Sequence, residues 1–284
     1  MFIGYNTNGF AHHRLVDAIA IIAELGYGGV ALTPDVNHLD PFLKSDFADD
    51  DLHYRIHVVS DAIQFKKLQC VVETGARFLL DPRHKHQPTL LSADADDRKY
   101  RFEFLQDCIE IAVGVKAKTL SFWSGTATDD ATSKALMKRL VEECQRLADI
   151  AAAKGVRLAF EPEPGMFIDT MDKFADLHAK VNHPAFGLTL DVGHLVCNGE
   201  VPVSEHIAAW KHILWNVHIE DMKPGVHDHL MFGEGEVDFA DAFDGLRDAE
   251  YEGGVFVELS RHSYDAVNTA RKSKAFLDGF QGTD

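Results

Sequence analysis

The octapeptide Leu188–Leu195, LTLDVGHL, ends an apolar run in a carboxylate, Asp191, and sets an imidazole, His194, three residues further on. A buried charge is costly unless it is paired or coordinates a metal. On its own the motif serves two readings equally: a metal ligand, or an Asp that caps the next helix with His194 at the surface. Three other β-rich runs end in the same manner. LAFEPEPG carries Glu161 and Glu163, NVHIED carries His218, and FVELSRH carries Glu258. Glu161, Asp191, His218 and Glu258 follow one another at separations of 30, 27 and 40 residues, each about one strand-plus-helix unit. Three carboxylates and one imidazole brought to one place would repel each other unless a divalent cation stood between them. Oxygen-rich ligation with one His suits Mn²⁺ first, with Mg²⁺, Co²⁺ or Zn²⁺ as alternatives.

The surrounding sequence supplies elements that would position such a set. Eight β-rich runs recur, at 2–6, 28–33, 69–74, 118–123, 156–161, 186–191, 214–219 and 254–259. Between and after them lie stretches with apolar residues at three- and four-residue spacing, the clearest at 13–26 and 131–155, both ending near Gly. Strict alternation of strand and helix implies a parallel sheet. Eight units in 284 residues predict an α/β fold of the (β/α)8 TIM-barrel kind. A doubly wound open sheet competes, but no Gly-rich phosphate loop follows the first strand. No Ser/Pro-rich linker interrupts the chain, so residues 1–284 are expected to form a single domain. In a barrel the strand ends and the loops after them build the site, which brings the four ionisable residues to one mouth.

Composition narrows the function. A net charge of −17 argues against nucleic acid and against an anionic membrane surface. No apolar run reaches transmembrane length, and the start, MFIGYNTNGF, has no secretory pattern. Cys70, Cys108, Cys144 and Cys197 are widely spaced, which predicts free thiols and a cytoplasmic location. Many of the 16 His residues fall in the predicted strand-end loops, favouring a polar, metal- or sugar-binding mouth. His227 and His229 form an HxH pair before a Gly-Glu-Gly turn, a weak metal signal by itself. Glu163 reads as a pocket residue or proton relay, or as a loop charge. Trp123 reads as a stacking face for a sugar, or as core. The basic island Arg77, Arg83, His84, Lys85 and His86 reads as a lid that meets a phosphate or carboxylate of the substrate, or as a solvated loop.

The motifs LAFEPEPG, LTLDVGHL, VHIED, HDHLMFGEGEVDF and VFVELS, in that order, resemble the xylose-isomerase-like TIM-barrel superfamily. This group holds sugar isomerases and epimerases, inosose and dehydroshikimate dehydratases, and apurinic endonucleases. The resemblance covers the C-terminal half by motif and the N-terminal half by strand–helix pattern alone. It implies that Glu161, Asp191, His218 and Glu258 hold the metal, and that Glu161 and Glu258 exchange protons with the two faces of a substrate carbon. His194 and His229 match positions that hold substrate in the epimerases. In the endonucleases these positions, with that of His227, hold a further zinc, so a second ion at His194, His227 and His229 is the competing expectation. Glu73 and Trp123 stand where the endonucleases need two more His ligands, which argues against a nuclease. The function implied is a metal-dependent sugar or sugar-phosphate isomerase or epimerase working through an enediolate. A metal-dependent dehydratase, or a non-catalytic metal- or sugar-binding barrel, is the alternative. The expected partner is a small carbohydrate-like molecule, with a homo-oligomer left open.

Overall fold

The computed structural model describes residues 1–43 and 51–280. Eight strands alternate with helices: β1 (Phe2–Asn6), α1 (Leu15–Glu24), β2 (Gly29–Leu32), α2 (Leu52–Phe65), β3 (Gln69–Glu73), α3 (Ala95–Gly114), β4 (Thr119–Phe122), α4 (Ser133–Ala153), β5 (Arg157–Phe160), α5 (Met171–Val181) and β6 (Phe186–Asp191). There follow α6 (Val192–Asn198), α7 (Val203–Trp210), β7 (Leu214–Ile219), a hairpin of β8 (Asp221–Lys223) and β9 (Val226–Leu230), α8 (Phe239–Asp248), β10 (Gly254–Val257) and α9 (Ala266–Leu277). Strands β1 to β7 and β10 pair in parallel and close a barrel in the order β1-β10-β7-β6-β5-β4-β3-β2. The (β/α)8 expectation holds.

Local chemistry sets the element ends. The Thr132 hydroxyl accepts from Ala135 N to start α4, and the chain leaves that helix through Gly155 at φ +71°. Inside the barrel, alternate residues of each strand point inward. Phe256 fills the interior against Gly4, where any side chain would run into its ring. Beyond it a polar layer joins Ser121 Oγ to Thr189 Oγ1 at 2.8 Å and Asn216 Nδ2 to Glu73 Oε1 at 2.9 Å. Glu258 follows Phe256 by two residues and so faces the mouth from the same side of β10.

Two elements lay outside the sequence reading. Helix α6 begins directly at Asp191 and is too short for its periodicity to register. The β8–β9 hairpin is polar and half exposed, so it lacks the apolar signature of a strand. It is held by buried Asp221, whose carboxylate accepts from Gly233 N and Gly235 N at 2.8 Å each and from Val237 N at 3.1 Å. One carboxylate thereby folds the Gly-Glu-Gly turn and fixes the hairpin that carries His227 and His229. Among the described residues no helix is long and apolar enough to cross a membrane, and all four cysteines are free.

Candidate active site

Glu161, Asp191, His218 and Glu258 converge at the C-terminal mouth of the barrel, with one ligating atom from each lying within 4.8 Å of the others. His218 Nδ1 stands 3.0 Å from Glu161 Oε1, 3.2 Å from Glu258 Oε2 and 3.9 Å from Asp191 Oδ2. Its far nitrogen, Nε2, lies 2.8 Å from Glu73 Oε1. Glu73 thus accepts from Nε2–H and leaves Nδ1 aimed at the carboxylates. Within its motif, Asp191 caps the next helix and keeps its second oxygen for the cluster. Oδ1 caps α6 by accepting from His194 N at 2.8 Å, while Oδ2 is buried with no hydrogen-bond partner. His194, the other half of that motif, is buried rather than at the surface.

The second group of imidazoles lies beside the first. His194, His227 and His229 offer ring nitrogens within 4.8 Å of one another. His194 Nδ1 donates to Pro162 O at 3.2 Å, and His229 Nδ1 donates to Glu258 O at 3.0 Å. Those carbonyls fix the tautomers and leave both Nε2 atoms free to accept. His194 Nε2 and His227 Nε2 are 3.0 Å apart. Burial pushes the His194 pKa down to about 4, against the pull of Asp191, so the ring is neutral at pH 7.

The donor set fits a divalent cation. Burial pushes the Glu161 carboxyl up to about 8, against the attraction of His218 and with help from the charges of Glu258 and Asp191. Burial also opposes ionisation of Glu258, but His218, His229 and His194 outweigh it and hold that carboxyl well below the usual range. Three carboxyls crowded about one imidazole, with burial and its neighbours opposing the ionisation of Glu161, are what a 2+ charge would relieve. The four side chains supply the oxygen-rich, single-imidazole shell that such an ion prefers.

Comparison with known proteins places this geometry. The profile of the xylose isomerase-like TIM barrel family matches residues 19–280. The chain belongs to this family. An L-ribulose-5-phosphate 3-epimerase, UlaE, from Shigella flexneri serotype 5b (strain 8401) is 27% identical over 194 residues, 68% of each chain. A crystal structure of D-allulose 3-epimerase from Methylomonas sp. superposes with a TM-score of 0.78 at 21% identity, covering 99% of this chain and 98% of that one. The structure of an IOLI protein with a bound zinc atom gives 0.77 at 17% identity, covering 98% and 97%. At these identities the structural likenesses speak for the fold alone.

As in other barrels, the loops of this xylose isomerase-like member wall a cavity of about 360 Å³ over the cluster. Trp123 is buried, and one part of it lines the cavity. Glu163 also lines it, half-buried, its carboxyl pushed well up by burial and by Glu161, Glu258 and Asp191. The basic island does not act as one unit. Arg77 pairs with Asp35 at 3.1 Å, Arg83 is exposed, and exposed His84 pairs with Asp81 at 2.8 Å. Only Arg77, Lys85 and His86 of the five border the cavity.

Three polar residues at the site carry no role in the sequence reading. Glu73 counted there only as a departure from the endonucleases, yet it ends β3 and orients His218. Asn8, just past β1, donates from Nδ2 to Glu258 Oε1 at 2.8 Å. Both lie at strand ends, so the rule that found the three acids and His218 would have found them. Glu220, the residue after β7, carries the same signal. It is fully buried, its oxygens receive no hydrogen bond, and Oε2 sits 3.7 Å from His229 Nδ1. Burial first, then the charge of Asp191, push its carboxyl well above the usual carboxyl range. Its side chain packs onto Gly193, where a Cβ would collide with Oε1.

Proposed function

We propose that this barrel is a divalent-metal-dependent sugar isomerase or epimerase acting on the carbon next to a ketone, as one domain spanning the chain. The observation that carries the reading is the pair Glu161 and Glu258. They come from β5 and β10, on different sides of the barrel, and both reach toward His218 Nδ1 beneath the cavity. Epimerisation needs a proton acceptor on one face of a carbon and a donor on the other, and two carboxyls entering from separate strands supply that. Glu161, Asp191, His218 and Glu258 would hold the ion. When bound, it would act as a Lewis acid on the substrate carbonyl and favour ionisation of the adjacent C–H.

The chain's own residues do the rest. One Glu removes the proton from the carbon, and the other returns a proton to the opposite face. Asn8 orients Glu258 for this exchange. His194 and His229, oriented by Pro162 O and Glu258 O, accept from substrate hydroxyls. Trp123 offers an apolar wall. The epimerase relatives support this assignment by family.

The test is isotope exchange. Purified protein with Mn²⁺ in D₂O, given D-fructose, D-allulose, D-tagatose and L-ribulose-5-phosphate, should place solvent deuterium on the carbon beside the carbonyl of at least one. The same sample should yield the epimer or isomer of that sugar. Loss of water from a keto-inositol or from dehydroshikimate without epimer formation would replace the reading with a dehydratase. No exchange with any of these would remove it.

A further inference from the structure

We infer that His86, on the loop between β3 and α3, is a substrate-binding residue that hydrogen-bonds a sugar hydroxyl remote from the reacting carbon, with Trp123 and Arg101 as its platform. The inference rests on the sugar substrate proposed above. Its basis is a strained turn that aims an unsatisfied ring into the cavity.

His86 has φ +66°, a left-handed conformation that a β-substituted residue adopts only when its surroundings enforce it. The enforcement is visible. His86 N donates to Arg77 O at 2.6 Å, Arg77 is anchored to Asp35, and further along the loop Thr89 Oγ1 donates to Thr126 O at 2.9 Å. The ring lies half-buried at the cavity wall, 5.1 Å from the Trp123 ring. Among the described residues neither ring nitrogen has a protein hydrogen-bond partner. The contrast with His84, two residues earlier, is direct: that ring is exposed and bonded to Asp81.

The platform is unusual in its support. Arg101, on α3, is 1% exposed, and its guanidinium stands 4.3 Å from the centre of the Trp123 ring. It donates to Thr74 O at 3.0 Å and, among the described residues, has no carboxylate partner. A buried cation held by an indole face and a carbonyl fixes the indole on which His86 rests. Arg101 is therefore a positioning residue that acts through Trp123.

The chemistry selects the ligand group. Burial first, then the charges of Lys85, Arg101 and Arg77, hold the His86 pKa down to about 3, so the ring is neutral at pH 7. A neutral imidazole offers one donor and one acceptor, the complement of a hydroxyl. A phosphate offers only acceptors and is met by cations, usually arginine forks. The arginines bordering this cavity are paired, Arg77 with Asp35 and Arg261 with Asp228. The Glu163 carboxyl shares the same space. Lys85 is the remaining cation at this end and is exposed rather than forked onto the cavity, so the neutral His86 and Glu163 fit this end to the unphosphorylated end of a ketose.

The experiment titrates the metal-loaded protein with D-allulose, D-tagatose, D-fructose and D-fructose 6-phosphate by calorimetry, alongside the exchange assay. His86→Ala should weaken ketose binding about tenfold, the loss of roughly one hydrogen bond to a buried neutral group. Its kcat should stay within about threefold of the original and its metal content should not change. His86→Gln, which keeps a donor and an acceptor, should recover part of the affinity. D-Fructose 6-phosphate should bind no more tightly than D-fructose. Unchanged affinity in His86→Ala, or tenfold tighter binding of the phosphate, would overturn the inference while leaving the proposed function standing. If the original protein neither binds nor exchanges any ketose, both are overturned.

Discussion

The two halves of the barrel mouth do different work. Strands β5, β6, β7 and β10 contribute the ionisable atoms that meet at one centre. Strands β1 to β4 and their loops contribute Asn8, Glu73, Trp123 and His86, which orient those atoms or face the cavity above them. The first half is a set of charges whose mutual repulsion calls for an ion. The second half is a set of hydrogen bonds and ring faces that needs no ion to hold together. Residues proposed to bind a metal and residues that shape its surroundings can therefore be separated by experiment.

The sharpest division is expected at the acids. Glu161→Gln and Glu258→Gln should each lower turnover by about 10²–10⁴-fold, the usual worth of a positioned acid–base group, while circular dichroism shows the fold retained. More than a tenth of the original rate in either variant would move that residue out of proton transfer. Glu73→Gln tests whether the supporting half reaches the ion only through His218. Metal affinity should fall about 10–100-fold, as for other groups that orient a ligating His, with the metal still able to bind at saturation. No change in affinity would break the link between the two halves.

His194, His227 and His229 lie on the border between the two. With substrate contact as their role, elemental analysis of protein prepared without chelator should give a ratio near one ion per chain, the same in His229→Ala. A ratio near two that drops to one in the variant would assign them to a second ion, which accepts three His ligands readily when it is Zn²⁺. The smallest effect concerns stability. His86 is depressed to about 3 in the fold and titrates near 6.5 when unfolded. As pH falls the unfolded chain takes the proton first, so this group's contribution is complete above about 6.5 and is lost as pH drops toward 3. The metal-free protein should show a lower Tm at pH 5 than at pH 7, and His86→Gln should narrow that gap. A gap of equal size in the variant would place the titration elsewhere.

Much of this was legible in the sequence for a physical reason. Strand–helix alternation and barrel closure fix where a strand's last residue goes, so Glu161, Asp191, His218 and Glu258 could be brought together from spacing alone. The same rule applied to Asn8 and Glu73, but a neutral amide and a third-strand carboxylate did not stand out as ligands. Loops obey no such period. Nothing in the residues 75–94 announces that His86 turns inward while His84 turns out, because a local φ of +66° decides it. Short α6 and the β8–β9 hairpin escaped for the same reason: each is held by one carboxylate, Asp191 or Asp221, rather than by an apolar repeat.

The contact between Gly193 and Glu220 has a consequence for how this site can change over generations. A methyl group at position 193 would occupy the place of Glu220 Oε1. Gly193→Ala therefore forces the Glu220 carboxyl toward His229 or Asp191, and so disturbs both groups of ligands at once. Glu220→Asp withdraws the carboxyl by one methylene and vacates that space. The two substitutions act on the same few atoms, so their effects should depart from additivity. Positions 193 and 220, 27 residues apart in the chain and on different strands' connections, are therefore expected to change together more readily than singly.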